Sequence, residues 1–412
     1  MDELELFTKA LALEDPWQVT DVKLIPVDTA WKMELHISID FIRGSKFSCP
    51  VDECGMMCDV HDTVDKTWRH LNFFQYRTYI HARVPRVSCE IHGVKMAAVP
   101  WARPGSGFTL LFESWVVTLA RFLPVSRIAA MIDEHDTRLW RFIRYYVDEA
   151  RAIADYSDVT AFGVDETSKK GHNYITVFVD HKTHKVIFVT DGKDKSTIGH
   201  FKHDFMAHGG NPDKVEIVTC DMSLGFKSGL TEHFKNHTTI IDKFHVVKHC
   251  NEAVDKTRKA ELKETDVLRK TKYIWLHNEA NLSDRQMAKK ESLAKMNLKT
   301  GRAYAMKCEL QDIYQTETHP NEAKIRLKDL CSWMMHSRLE HMKSFSRLVR
   351  GHWDDIMNYF YYHYTNAVLE GINSVIQQIK TRARGFRNPE YFKTMIYLVC
   401  GGLDLDEVFV AG

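Results

Sequence analysis

The sequence predicts an α/β fold with small β and helical parts ahead of it, and three features of its 412 residues carry that expectation. Short β-branched and aromatic runs between Ala161 and Asp242 alternate with segments of helical period. Two strand-like runs and two pairs of closely spaced ligand residues come before residue 104. From Asn251 to residue 350 the strand signal stops, and Lys/Glu-rich segments of helical period take over.

Composition narrows the class. Apolar residues are 44% and charged residues 27% of the chain, the proportions of a globular protein with a core, and the length suits two or three domains. A formal net charge of +1 leaves a nucleic-acid partner open, because basic residues can cluster locally. No apolar run approaches the roughly 20 residues of a membrane span, so no membrane partner is predicted. The acidic opening Met-Asp-Glu-Leu-Glu-Leu does not read as a secretory or transit signal. Nine thinly spread cysteines predict reduced thiols in the cytoplasm, where a close group is better read as a metal site than as disulfides.

Strands are expected at Gln18 to Ile25 and at Trp31 to Phe41, the second alternating through Met33, Leu35, Ile37 and Ile39. Cys49-Pro-Val-Asp-Glu-Cys54-Gly and Cys89-Glu-Ile-His92-Gly follow, with Trp68-Arg-His-Leu71 and the strand-like Thr78 to Val84 between them. Two ligand knuckles, each ended by glycine and separated by strands, describe a zinc ribbon with Cys49, Cys54, Cys89 and His92 as ligands. Cys58 is near enough to stand in for either of the first two, and scattered buried thiols are the plainer alternative.

After Pro104-Gly105 the period turns helical. Phe108 to Leu123 reads as a helix with Leu111, Trp115, Leu119 and Phe122 on one stripe, broken by Pro124. Val125 to Ile132 is a short helix, and Thr137 to Ala150 a longer one with Asp136 as its N-cap. The last carries Arg138, Arg141, Arg144 and Tyr145, so the pair fits a helix-turn-helix with a recognition helix that touches DNA. A plain three-helix packing unit has the same pattern, and the turn lacks glycine.

Ala161-Phe-Gly-Val-Asp-Glu-Thr is a strand whose alternation puts Gly163, Asp165 and Thr167 on one face and Val164 and Glu166 on the other. Turns at Lys170-Gly171 and at His181-Lys-Thr183 separate it from two further strands, ending near Asp180 and Thr190. A helix from Thr197 to His208, a strand from Val215 to Asp221, a helix from Met222 to Phe234 and a strand from Thr238 to Asp242 running on to Val247 complete the run. Three neighbouring strands, a helix, a strand, a helix and a strand are the ribonuclease-H-like order. Asp165 and Asp221 then sit side by side at one edge, able to hold two divalent ions roughly 3.5–4 Å apart, the geometry of in-line attack on a phosphodiester. Asp180 and Asp242 are rival strand-end acids, read as simply solvated. From Tyr364 to Pro389 a helix carries Asn366, Glu370, Asn373, Gln377, Lys380 and Arg384 on one stripe and Leu369, Ile372, Ile376 and Ile379 on another. It can pack on the sheet, present Glu370 toward the aspartates, and offer Lys380, Arg382, Arg384 and Arg387 to phosphate; an ordinary solvated helix end is the equal alternative.

These residues resemble a known family: the bacterial insertion-sequence transposases of the DDE class, in the group called ISL-three. The likeness covers the ribbon, Trp68-Arg-His-Leu71, the helix-turn-helix, Gly163-Val-Asp-Glu166, Cys220-Asp-Met-Ser223, Asp242-Lys-Phe-His-Val246, Asn366-Ala-Val-Leu-Glu-Gly-Ile-Asn373 and Gly385-Phe-Arg-Asn388. The family's ribbon looks like two Cys-x-x-Cys knuckles, whereas here the first is stretched and the second ends in His92. The resemblance implies a catalytic triad of Asp165, Asp221 and Glu370 using Mg²⁺ or Mn²⁺. It implies double-stranded DNA as partner (terminal inverted repeats and target), at least a homodimer in the reaction, and a bacterial cytoplasmic location. The implied division is a β and zinc-ribbon DNA-binding region at 1–104, a helix-turn-helix at 105–152, a ribonuclease-H-like catalytic core at 153–250 interrupted by an all-α insertion at 251–350, and closing helices at 351–412. A transposase-derived DNA-binding regulator without activity, or a nuclease that cuts without joining, are the alternatives.

Overall fold

Alternating apolar residues build the first sheet: β2 (Met33–Phe41) buries Leu35, Ile37 and Ile39, while β1 (Trp17–Pro26) buries Trp17 and Val19 before a bulge shifts its register. The computed structural model describes residues 2–28, 33–170 and 173–411, so the start of the second expected strand and the turn after Lys170 lie outside the described residues. Two compact units make up the chain: residues 1–152 with 382–395 and 403–412, and residues 153–381 with 396–402. Among the described residues no helix is long and apolar enough to cross a membrane.

In the first unit, helix α1 (Glu3–Ala10) precedes β1 and β2, and a two-stranded ribbon, β3 (Phe47–Ser48) with β4 (Met57–Cys58), follows them. Long strands β5 (Val60–Phe73) and β6 (Tyr76–Cys89) then pair antiparallel, and β7 (Gly93–Met96) turns back on β6. The sheet order is β1-β2-β6-β5, with β2 and β6 parallel. Trp17, Trp68 and Trp101 meet edge to face in its core, at centroid distances of 4.9 and 5.6 Å. Trp68-Arg-His-Leu71 is thus part of β5, and its tryptophan serves packing.

Three helices follow: α2 (Leu110–Ala120), α3 (Val125–Ile132) and α4 (Asp136–Ala152). Thr109 starts α2 two residues later than expected, because its hydroxyl accepts the Phe112 N–H. The stripe Leu111, Trp115 and Phe122 is exposed, and the buried side is Phe112, Val116, Val117 and Ala120. The helix is apolar nearly all round, so periodicity could not choose its inner face. Glu113 decides it: fully buried, it accepts from Arg103, Ser106 and Tyr146 and pins the preceding loop and α4 to that side. Asp136 is the first helical residue of α4 and not its cap. The glycine-free turn closes because Asp133 takes the left-handed conformation itself, at φ 55°.

The second unit holds a five-stranded sheet: β8 (Ala161–Lys170), β9 (Asn173–Asp180), β10 (Val186–Asp191), β11 (Ile217–Cys220) and β12 (Thr238–Ile241). Its order is β10-β9-β8-β11-β12; the first three are antiparallel neighbours, and β11 runs parallel to both β8 and β12. Helices α5 (Lys195–Ala207) and α6 (Leu224–His233) join these strands. The run Lys243 to Val247 is no strand extension: Asp242 caps the helix α7 (Lys243–Glu261) there. One sheet face, with Phe162, Val164, Phe178, Val218 and Cys220, shares a core with Ile198, Phe201, Phe205, Phe226, Leu230 and Phe234. Phe201 stacks on Phe178 at 4.2 Å at its centre.

Residues 262–362 add helices α8 (Lys272–Leu276), α9 (Asp284–Ala294), α10 (Lys299–Thr316), α11 (Pro320–His336), α12 (Glu340–Gly351) and α13 (Trp353–Tyr362). Ser337 to Leu339 separate α11 from α12, the Ser337 hydroxyl donating back to the Met334 carbonyl. Two charges here are structural and not solvated: Glu261 accepts the Lys299 and Thr300 N–H groups at the start of α10, and buried Lys307 donates to the last carbonyls of α8. The chain closes with α14 (Ala367–Arg382), α15 (Pro389–Cys400) and α16 (Leu405–Ala411).

Helix α14 lies against the other sheet face, close enough to demand a glycine. A Cβ on Gly163 would overlap the Leu369 side chain and stand 2.8 Å from Thr219 Oγ1. Gly163→Ala is therefore expected to destabilise the unit by about 1–3 kcal/mol, the usual range for overpacking, read as a lower urea midpoint with unchanged slope.

Candidate active site and metal-ligand cluster

Asp165 points to the face of β8 that meets α14, as strand alternation requires, and Asp221 follows the last residue of the adjacent parallel strand β11. Glu370 stands in the first turn of α14 and is exposed. Asp165 is buried: its Oδ1 accepts the Glu166 N–H at 2.8 Å and its Oδ2 the Asn373 amide, also at 2.8 Å. Asp221 accepts from the Ser223 N–H at 2.9 Å. Burial pushes the Asp165 carboxyl above its usual range; His245 and the Glu166 N–H oppose that, and Asp221 adds to it. Glu370 is also raised, first by desolvation, then by Asp242 and, after the opposing His245, by Asp165. Acids whose charges are felt by one another, with buried Asp165 paired only with a histidine among the described residues, have the character of a site for divalent cations. An ionised carboxylate offers about four lone-pair positions, so both Asp165 oxygens keep capacity for a metal.

His245 was not legible as a site residue. Asp242 caps α7 and so sets its third helical residue, His245, beside the acids, with Nε2 4.0 Å from Asp165 Oδ1. The signal was in the sequence, an N-cap acid three residues before a histidine, but Lys243 to Val247 read as strand. The rival acids are not solvated. Asp242 is 1% exposed and accepts from the Phe244 N–H and the Asn366 N–H, tying the start of α14 to that of α7. Asp180 is 3% exposed and closes its own turn by accepting from Lys182, Thr183 N–H and Thr183 Oγ1.

His181 lies behind the site, Nε2 2.8 Å from Thr219 Oγ1. Desolvation holds its pKa down at about 4. A histidine depressed in the folded state binds its proton more readily when unfolded, so its contribution is present above about pH 6.5 and lost as pH falls toward 4. The expected loss is up to roughly 3 kcal/mol across that window. It should shrink in His181→Gln, as measured by thermal melting at pH 7 and pH 4.5.

The Cys49, Cys54, Cys89 and His92 ligand atoms all lie within 4.8 Å of one another, and they are the one such group among the described residues. Cys54 Sγ is 3.8 Å from Cys89 Sγ, and His92 Nδ1 is 3.6 Å from both Cys49 Sγ and Cys89 Sγ. Ligands on one tetrahedral zinc, with bonds of roughly 2.3 Å to S and 2.05 Å to N, stand about 3.8 Å (S to S) and about 3.6 Å (S to N) apart, so the set fits. The β3–β4 and β6–β7 hairpins deliver the two pairs. The stretched first knuckle closes because Glu53 and Gly55 take left-handed conformations and Cys54 N–H bonds to the Val51 carbonyl. The His92 N–H, and after it that of Ile91, hold the Cys89 thiol at about 6 against desolvation. Cys58 is not part of the set; its thiol turns to the Met56 carbonyl.

Of the basic candidates, Arg141 is exposed and Arg144 half-buried on α4, while Arg138 ion-pairs with Glu134 and lies over the Phe108 ring at 4.4 Å. Lys380 belongs to the second unit; Arg382, Arg384 and Arg387 belong to the first. There Arg382 donates to the Phe122 carbonyl at 2.7 Å, and Tyr391 stacks on Trp140 of α4 at 4.2 Å. Arg384 and Arg387 are exposed.

Three stretches match described families. Residues 162–396 match a DDE-type transposase family of the ISL3 group, residues 97–147 the helix-turn-helix domain of transposase family ISL3, and residues 45–92 the zinc-finger of the IS204/IS1001/IS1096/IS1165 transposases. The chain is 26% identical over 372 residues to the transposase for insertion sequence element IS1557 of Mycobacterium tuberculosis, covering 82% of each chain. It is 25% identical over 366 residues to the transposase for insertion sequence element IS1001 of Bordetella parapertussis, covering 83% of this chain and 86% of that one.

Proposed function

From the premise that this chain belongs to the ISL3 family of insertion-sequence DDE transposases, we propose that Asp165, Asp221 and Glu370 are its catalytic acids and hold Mg²⁺ or Mn²⁺. Bound there, the ions would activate a water, and later a DNA 3′-hydroxyl, and stabilise the leaving oxygen. The observation that supports this best is the meeting of two neighbouring parallel strands, each carrying an aspartate at the same edge, with the helix that carries Glu370. Asp165 keeps a fixed orientation through its two hydrogen bonds, and His245 beside it is the residue able to share or pass a proton. No serine or tyrosine nucleophile is required, because the attacking group comes from water or DNA.

The strand order, three antiparallel and then two parallel, supports a ribonuclease-H-like core at 153–250 with 251–350 as its helical insertion; of the closing helices expected at 351–412, residues 351–381 and 396–402 belong to that unit, and 382–395 and 403–412 to the first. The region 1–104 with the zinc set, and the helix-turn-helix at 105–152, are read as the parts that bind the terminal inverted repeats. Phosphate contacts position such a protein, and base contacts specify the site. Arg141, Arg144, Arg384 and Arg387 are the better phosphate candidates; Arg138, Arg382 and Lys380 each have a protein partner. Joining two element ends implies two copies of the chain in the reacting complex, in the bacterial cytoplasm where that DNA lies.

The test is a labelled duplex ending in the element's inverted repeat, incubated with purified protein in Mg²⁺ or EDTA. Metal-dependent cutting at the repeat end followed by joining to a second duplex is the expected result. Cutting without joining under any condition would favour a nuclease, and binding without cutting a DNA-binding regulator.

A further inference from the structure

Resting on that assignment of the three acids, we propose that Asn373 is a positioning residue that orients Asp165 toward a divalent cation. Asn366, immediately before α14, and Gln377, on the same side of it as Asn373, set the register at which Glu370 meets the sheet. Three side-chain amides, one immediately before α14 and two on it, each bond to a group on the same sheet face. Asn366 Oδ1 accepts from Thr219 Oγ1, Asn373 Nδ2 donates to Asp165 Oδ2 at 2.8 Å, and Gln377 Nε2 donates to Thr167 Oγ1 at 2.9 Å. Residues 366, 373 and 377 lie seven and four apart, which at about 100° per residue keeps them within a narrow stripe. Thr167 and Asp165 are alternate residues of β8, and Thr219 is on the neighbouring strand.

Packing of Leu369 and Ile376 alone would tolerate a slide of the helix, since apolar contact is non-directional. The amides do not tolerate it. A one-residue shift turns α14 by about 100° and moves it about 1.5 Å, which would break all three bonds and swing Glu370 away from Asp165. The choice of amides also matters electrostatically. A lysine or arginine at 373 would orient Asp165 by ion pairing and so compete with the cation. The neutral Asn373 N–H fixes the carboxylate plane and leaves its negative charge for the metal, the usual work of a group that supports a metal ligand.

Mn²⁺ binding to the full-length protein, followed by electron paramagnetic resonance without DNA, tests this separately from activity. Asn373→Ala, and Asn373→Leu, which keeps the volume and removes the donor, are expected to bind Mn²⁺ about tenfold or more weakly. Their melting temperatures and affinity for the repeat duplex should stay near wild type, and cutting should recover in part as Mn²⁺ is raised. Mn²⁺ affinity within twofold of wild type in either folded variant would overturn the proposal. So would a loss that only tracks unfolding in both. Asp165→Asn is the control: if it too binds Mn²⁺ like wild type, the assignment of the acids is what fails.

Discussion

Glu370→Gln, Asp165→Asn and Asp221→Asn are each expected to slow cutting at the repeat end by roughly a thousand-fold or more, while leaving duplex binding nearly unchanged. A carboxylate that holds a catalytic metal contributes several kcal/mol of transition-state stabilisation, and each 1.4 kcal/mol is about tenfold in rate. Neutral replacements should not cost the fold. Glu370 is exposed, and Asp165 is already pushed toward its protonated form by burial, so an amide there removes an unfavourable charge. Asn373 can turn its own amide to face Asn at 165 without moving the helix. Asp242 provides the contrast: it caps α7 and holds the Asn366 N–H while almost fully buried. Asp242→Ala should lower the melting temperature, by about 1–3 kcal/mol in stability, whether or not Mg²⁺ is present. Band-shift and cleavage measured on the same preparations separate the two behaviours. Cutting at the wild-type rate by any of the first three variants would remove that residue from the catalytic set.

The second large effect is expected from the metal cluster of the first unit. Cys89→Ser should leave the purified protein without the one zinc per chain that the wild type is expected to carry, as read by elemental analysis. The hairpin around it should then exchange its amide hydrogens freely. The physical reason is size: β3 and β4 are two residues each, too little structure to persist without a crosslink. Duplex affinity should fall by an order of magnitude or more, because structural zinc sites of this kind supply on the order of 10 kcal/mol to their own folding. Cys58→Ser should retain the metal, since Cys58 lies outside the four-ligand set and its thiol donates to the Met56 carbonyl. Zinc loss from Cys58→Ser and retention by Cys89→Ser would reverse the assignment.

The sheet of the second unit was legible because its information is local. Alternation assigned Asp165 to one face of β8 and Val164 to the other, and the spacing of Glu370 and Asn373 placed them on one side of a helix; both survive into the fold because backbone period dictates them. The four ligand residues were legible for the same reason, as two short knuckles. Tertiary structure alone decided the rest, where a side chain's role depends on a partner far along the chain. Helix α2 is apolar on most sides, and only the bonds of Glu113 to Arg103 and Tyr146 chose which side faces in. Asp242 looked like any strand-end acid until Asn366, 124 residues on, supplied its partner. His245 reached the acids because a cap turned the chain into a helix one residue after a strand, a boundary that propensity resolves poorly. Hydrogen-bond partners then separated acids of similar sequence setting: Asp180 closes its own turn and Asp242 caps α7 while holding the Asn366 N–H, whereas Asp165 reaches across to Asn373 of the helix that brings Glu370.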